Sequence, residues 1–257
     1  MVVKLSETSA SAPPHSEKTE YKAKTKKLLD RLGHLQHLLY ASRSHSVLIL
    51  LQGMDASGKD GAIRRVFSHC NISGTHAVAF AKPTEEEFAH DFLWRVHQQV
   101  PRRGHMTIFN RSHYEDILVP AVHKLLSPAR IAQRMNSINA FEQLLVAENN
   151  TVIFKFFMHI SKAEQEAQLK ERYEDETKFW KHNEQDWSER KHWNSFQRTY
   201  EYILNRSVIP WTICPVDDRW YRDYVIASTL VAGLESLKLR FPKPDKPIIK
   251  SRIASSR

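Results

Sequence analysis

The sequence predicts an α/β domain with a mostly parallel, five-stranded sheet and helices on both faces. Three observations predict it. Apolar runs of strand length alternate about five times with segments of helical character, as successive strand–helix–strand units require. The first run, Val47-Leu-Ile-Leu-Leu-Gln52, is continuously apolar, as expected of a strand buried on both faces. Helix-start signals fall between the runs, not within them. A chain of 257 residues suits one such domain and is too short for two full-sized enzymatic ones.

The strand candidates are residues 47–52, 76–81, 106–110, 151–158 and 209–214. Between the second and third, Thr84 with Glu87 makes a capping box. It opens a helix with Phe88, Phe92, Leu93, Val96 and Val100 along one face. Ser127-Pro128 supplies an N-cap residue and a proline at the first helical position, and Ser161 with Glu164 reads as a second capping box. Residues 172–191 break the rhythm. They hold Tyr173, Phe179, Trp180 and Trp187 among charged residues and lack the aliphatic content of a core. The stretch reads either as a mobile cover over a site or as a solvated helical hairpin whose aromatics pack on the domain.

Charge organises the ends. The net charge is +9, yet residues 1–27 hold six Lys against three Glu, giving +3. Residues 241–257 hold five basic residues against Asp245, giving +4, so 28–240 carry only +2. With Ser-Ala-Ser-Ala-Pro-Pro at 9–14 and Phe-Pro-Lys-Pro-Asp-Lys-Pro from 241, the two ends read as flexible basic tails flanking a domain over 28–240. A basic nucleic-acid-binding module is therefore the weaker reading, and trimming both tails is expected to spare catalysis. The longest aliphatic run, at 47–51, is far below the ~18 residues of a membrane span, and no secretory signal is read at the start. Cys70 and Cys214 cannot build a disulfide framework, so a cytoplasmic protein is expected.

Glycine occurs only seven times, and three of the seven lie in Gly53-Met-Asp-Ala-Ser-Gly58-Lys59-Asp60-Gly61, directly after the first strand. The spacing is that of a phosphate-binding loop. Glycines let backbone N–H groups turn toward phosphate oxygens, the following helix contributes its positive end, and Lys59 reaches the terminal phosphates. Asp60 stands where a Ser or Thr hydroxyl usually faces Mg²⁺, and Asp55 adds a second carboxylate. Two carboxylates beside a polyanion imply a bridging Mg²⁺, with Asp55 the better placed ligand; Asp60 could instead cap the helix.

The third strand ends in Asn110-Arg111-Ser112-His113-Tyr114-Glu115-Asp116. Asn110 occupies the strand end where such folds place a metal-associated Asp, and an amide brings no charge. Arg111 can clamp a phosphoryl group through its planar fork. Glu115 and Asp116 either join the site, where they orient the acceptor or hold the metal, or merely complement a helix dipole. His113 alone reads as structural, and no zinc-type spacing or nucleophile elbow occurs.

The phosphate loop 53–61, Phe109-Asn-Arg-Ser-His-Tyr-Glu-Asp116 and His90-Asp-Phe-Leu-Trp-Arg95 together resemble the polyphosphate kinase type 2 family. Lys178-Phe-Trp-Lys181, with Trp211 and Arg219-Trp-Tyr-Arg222, resemble its lid and last sheet segment. The resemblance spans roughly 35–240. It implies a three-layer phosphate-loop kinase fold with a helical lid over 172–191. The implied reaction is Mg²⁺-dependent phosphoryl transfer, with Mn²⁺ a possible substitute, between inorganic polyphosphate and AMP, ADP, GMP or GDP. Carried over by position, Asp55, Lys59, Arg111, Asp116 and Arg172 form the catalytic set, with Asp55 and Asp116 on the metal. Gly53, Ala56, Ser57, Gly58, Lys59, Asp60, Gly61, Lys178 and Lys181 would hold phosphates, and Lys82, Asn110, Arg111 and Glu115 the nucleotide. The Asn-Arg-Ser-His-Tyr-Glu form resembles members that accept both mono- and diphosphates. The resemblance also implies a homo-oligomer. The rival enzyme reading is a phosphate-loop nucleotide or nucleoside kinase that uses ATP as donor.

Overall fold

A computed structural model describes residues 2–244. In chain order the elements are α1 (Lys18–Ser42), β1 (Ser46–Gln52), α2 (Lys59–Val66), β2 (Thr75–Ala79), α3 (Glu85–Ala89), α4 (Trp94–His97), β3 (Met106–Asn110) and α5 (Glu115–Val122). They continue with α6 (Pro128–Asn149), β4 (Thr151–His159), α7 (Lys162–Glu174), α8 (Glu184–Arg190), α9 (Trp193–Arg206), β5 (Thr212–Pro215) and α10 (Arg219–Ser236). The sheet runs β2-β3-β1-β4-β5 and every pair is parallel. All five predicted strands are present. β5 begins three residues late, after Pro210, which has no N–H to give a ladder.

Every residue of β1 is buried, which accounts for its unbroken apolar run. β1 is paired with β3 on one side and β4 on the other. The chain therefore leaves β1 toward one half of the sheet and later returns to build the other. That reversal opens a crevice beyond the carboxyl ends of the strands, where ligands bind in open α/β sheets. The loop after β1 and the segment after β3 both lie there.

The helix-start signals hold to different degrees. Ser127 accepts from Arg130 N at 3.3 Å, with Pro128 opening α6. Thr84 and Glu87 make both halves of their capping box. The helix predicted beyond it is broken into α3 and α4, because the Asp91 carboxylate takes the Leu93 N–H at 2.9 Å and forms a local turn. Its apolar face is broken too: Phe88 is 81% exposed while Val96 is buried. Ser161 accepts from Glu164 N at 3.1 Å, but its own N–H goes to Asp217 Oδ1 at 2.9 Å, so the second box is half made.

The predicted N-terminal tail is corrected by the structure. Residues 18–27 are the opening turns of α1, and the residues before them are strapped across the domain. Leu5 is 3% exposed within the core, and its N–H donates to Glu201 of α9 at 2.7 Å. Asp217 N donates to Ala10 O, and Ala12 N to Asp218, both at 3.0 Å. A reading from charge and small residues misses one apolar anchor, and one anchor is enough to order a short strap. Leu5→Ala is expected to lower unfolding free energy by about 2–3 kcal/mol. An unchanged urea midpoint in that variant would mean the strap is not anchored. The predicted C-terminal tail lies outside the described residues beyond position 244. No helix among the described residues is long and apolar enough to cross a membrane.

Candidate active site

The loop between β1 and α2 turns through two left-handed residues, Ala56 at φ 64° and Gly58 at φ 80°. Gly58 needs to be glycine twice over, since a Cβ there would also sit 2.6 Å from Nη1 of Arg222. The turn directs the start of α2 into the crevice. Lys59 is only 8% exposed, and its amine donates to the carbonyls of Gly53 and Met54 at 2.9 and 3.0 Å. Burial pushes its pKa down, although Asp55 opposes this.

Arg111 at the end of β3 is also left-handed, at φ 64°. Strain at the mouth of a crevice is characteristic of functional positions. Its Nη2 donates to Asp55 Oδ1 at 2.6 Å. Burial raises the Asp55 pKa, but Lys59 and Arg111 outweigh it and the carboxyl lies below its usual range. Glu115 accepts from Gln52 Nε2 at 2.6 Å, and burial pushes its pKa up against the pull of Arg111. Asp60 does not cap α2. It accepts from Asn110 Nδ2 at 2.6 Å and lies 3.4 Å from the Lys181 amine.

Asp55, Lys59, Asp60, Asn110 and Arg111 border a cleft of about 520 Å³. Its far wall is the segment 172–191, which folds as the end of α7, a short 3-10 helix (Glu176–Lys181) and α8. The stretch reaches the cleft through Arg172, Lys178, Lys181 and Asp186, all of which line it. Arg172 is paired with Asp186 and also donates to the Lys181 carbonyl at 3.2 Å. Lys178 is committed to Glu171 at 2.6 Å and Asp175 at 2.9 Å.

Four expected site residues do not line this cleft: Gly53, Lys82, Glu115 and Asp116. Asp116 accepts from Arg95 Nη2 at 3.2 Å and is not among the residues that line the cleft, whereas Asp55 is. Lys82 borders a separate hollow beside β2, with Thr84, Glu87 and Arg95. His113 is fully buried, with Nε2 3.1 Å from Glu142, which also accepts from Tyr114 and the Lys155 amine. This buried network braces the Arg111 segment from below.

Four cleft arginines had no assigned role: Arg64 and Arg65 on α2, Arg219 and Arg222 on α10. Arg222 is buried, donates to Gly58 O at 3.1 Å and pairs with Asp223. The signal for them was spacing. Arg64 and Arg65 follow Asp60 and Gly61 by one helical turn, and Arg219 and Arg222 are an i, i+3 pair opening a helix, not a sheet segment.

The donor set fits a sparsely protein-bound hard cation. Asp55 has one oxygen on Arg111 and the other without a side-chain partner. No group of three or more His, Cys, Asp or Glu gathers among the described residues. A divalent ion here would take most of its ligands from phosphate and water, which is how Mg²⁺ binds beside phosphates.

A parallel sheet whose crevice gathers loop amides and guanidinium groups under a helical cover defines the phosphate-loop kinase class. Comparison with known proteins narrows the class to one lineage. The chain belongs to the polyphosphate kinase 2 (PPK2) family, whose sequence profile matches residues 15–242. It is 46% identical over 218 residues to the AMP/ADP-polyphosphate phosphotransferase of Meiothermus ruber, covering 84% of this chain and 81% of that one. It is 36% identical over 246 residues to the ADP-polyphosphate phosphotransferase of Rhodopseudomonas palustris, covering 90% and 85%. The crystal structure of polyphosphate kinase 2 from Arthrobacter aurescens superposes with a TM-score of 0.94 at 33% identity, covering 98% of this chain and 92% of that one.

Proposed function

We propose that the cleft transfers a phosphoryl group between inorganic polyphosphate and a nucleoside mono- or diphosphate. One observation carries the reading: a phosphate loop with a buried lysine faces an Arg111–Asp55 pair and a cation-bearing lid, in a chain of this family. A phosphate oxygen of the nucleotide attacks the terminal phosphorus of the polyphosphate chain. The bridging P–O bond breaks in line, and the shortened chain leaves with the electron pair. No covalent protein intermediate is needed. Catalysis is then positioning and charge neutralisation.

The phosphate loop and the start of α2 would cradle the donor phosphates, with Lys59 turning from its loop carbonyls to a phosphate oxygen. Arg111 would neutralise the transferring group. Arg172 and Lys181 would complete the charge as the lid closes. Asp55 would hold Mg²⁺ through its free oxygen, and the ion would supply charge neutralisation between phosphates. Asp116, held by Arg95 outside the cleft lining, would act on the site only through its neighbours.

Glu115 tests the division of roles. Its pKa is raised by burial, so its ionised form costs folding stability near neutral pH, and the cost is relieved as pH falls through the raised pKa. Glu115→Gln removes that cost and keeps an acceptor for Gln52. The variant is expected to match or exceed wild-type thermal stability at pH 7 while losing turnover by about tenfold or more. Lower stability with normal turnover would assign Glu115 to the fold alone. For the reaction itself, AMP, ADP, GMP and GDP are each incubated with polyphosphate and Mg²⁺ and the products separated chromatographically. Phosphorylated nucleotide that disappears with a chelator and returns with Mg²⁺ or Mn²⁺ supports the reading. A panel with no product sinks it.

A further inference from the structure

Residues 18–27 of the basic N-terminal stretch are the first turns of α1, and α1 packs against α10. We infer that Lys22 and Lys26 of α1 extend the cleft's arginine wall into an outer binding ridge for the distal part of a long polyphosphate chain. The inference rests on the polyphosphate reading and adds to it where the chain runs after leaving the cleft.

The ridge begins inside the cleft wall. Arg64 and Arg65 line the cleft from α2, next to Arg219 and Arg222 of α10. They are crowded: burial lowers the Arg65 pKa, Asp223 opposes this, and Arg222, Arg219 and Arg64 add to the lowering. Arg65 and Arg222 share Asp223, and Arg219 lies 3.5 Å from Glu171, so four guanidinium groups stand against two carboxylates. The group therefore keeps a net positive charge facing outward.

Helix α1 continues from there. Tyr21 packs on Trp220, Tyr221 and Tyr224, with ring centroids 5.6, 5.3 and 4.7 Å away, so the first turns of α1 flank the start of α10. Further along, Gly33 meets the turn that follows α2 so closely that a Cβ would lie 2.5 Å from the His69 carbonyl oxygen. Gly33 thus marks the face of α1 turned toward α2. At 3.6 residues per turn, Lys26 and Lys22 stand about two and three turns before Gly33 on that face. Both are exposed, and neither is ion-paired among the described residues. Lys24 and Lys27 point away from that face, and Lys24 is held by Glu20 at 2.6 Å. Asp30, one turn below Lys26, is engaged by His69 at 2.9 Å and bounds the ridge at its lower end.

A linear polyanion fits such a ridge. It carries a charge at every unit, needs no shaped pocket, and gains affinity by displacing counterions along a row of cations. A chain only a few phosphates long would be held within the cleft and never reach α1.

The test is a charge-matched pair of full-length double variants, Lys22→Glu/Lys26→Glu and Lys24→Glu/Lys27→Glu, which change net charge equally. Steady-state KM is measured for long-chain polyphosphate, short linear polyphosphate and the nucleotide. The ridge predicts that the first variant raises KM for the long chain by about fivefold or more, and more steeply at low salt. Its kcat, nucleotide KM and short-chain KM stay at wild-type values, and the second variant behaves as wild type. Equal effects of the two variants would assign the result to bulk charge and overturn the ridge. An unchanged long-chain KM in the first variant, or an equal rise for the short chain, would also overturn it. If wild-type protein turned over no polyphosphate, the functional reading itself would fail. The ridge would then be judged by calorimetric binding of long-chain polyphosphate to the same two variants.

Discussion

Replacing Lys59 by alanine is expected to lower kcat by about a thousandfold while the protein remains folded. Lys59 opens α2 at the floor of the cleft, and its amine is held on the Gly53 and Met54 carbonyls, a short swing from the space above the loop. In phosphoryl transfer, a cation there acts where charge accumulates on the terminal phosphates, so its loss appears chiefly in the transition state. The folding cost is small. Two carbonyls lose a donor, at about 1 kcal/mol each, but a buried ammonium whose burial lowers its pKa is also removed. Far-UV circular dichroism and thermal melting should resemble wild type while coupled-assay turnover collapses. Turnover within about tenfold of wild type would remove Lys59 from the mechanism.

Arg111→Ala is expected to have a comparable effect, a loss of about a thousandfold in kcat/KM. Among the described residues, Arg111 is the cation in direct contact with Asp55, and its backbone is left-handed at a strand end where a non-glycine residue is strained. On the proposed mechanism its removal takes away a transition-state cation, and it leaves Asp55 with one fewer neighbouring positive charge. The Asp55 carboxyl, now below its usual range, should move up. Activity that remains should therefore fall away at a higher pH on the acid side than in wild type, as Asp55 becomes protonated. Arg111→Lys should not restore full activity, because a single ammonium cannot reproduce the two-pronged contact of a guanidinium. Full activity in Arg111→Lys would show that charge alone suffices there.

Much of the fold was legible because it rests on short-range patterns. The unbroken apolar run of β1, the Ser127-Pro128 start of α6 and the Thr84–Glu87 box are each local, and each appears in the structure. The phosphate loop was legible for the same reason, as glycine spacing and a lysine lie within nine residues. What escaped was tertiary. The N-terminal strap depends on Leu5 meeting α9 some two hundred residues away, which composition cannot register. Arg222 reaches Gly58 across 164 residues of sequence, and only the packing of α10 on α2 makes that contact. Asp116 looked like a partner for Asp55 because it follows Arg111 at helical reach. Its side chain turned instead to Arg95, a residue of α4 that no local spacing linked to it. Lys178 looked like a free lid cation until Glu171 and Asp175 were found beside it.

The central claim is that this phosphate-loop cleft moves phosphoryl groups from polyphosphate to a nucleotide. The most direct measurement follows ADP and polyphosphate with Mg²⁺, in the absence of ATP, by phosphorus NMR for wild type and Lys59→Ala in parallel. ATP β-phosphate signal is expected to grow in wild type as polyphosphate is consumed, with almost none in the variant over the same period. No ATP from wild type, or equal rates from both proteins, would contradict it.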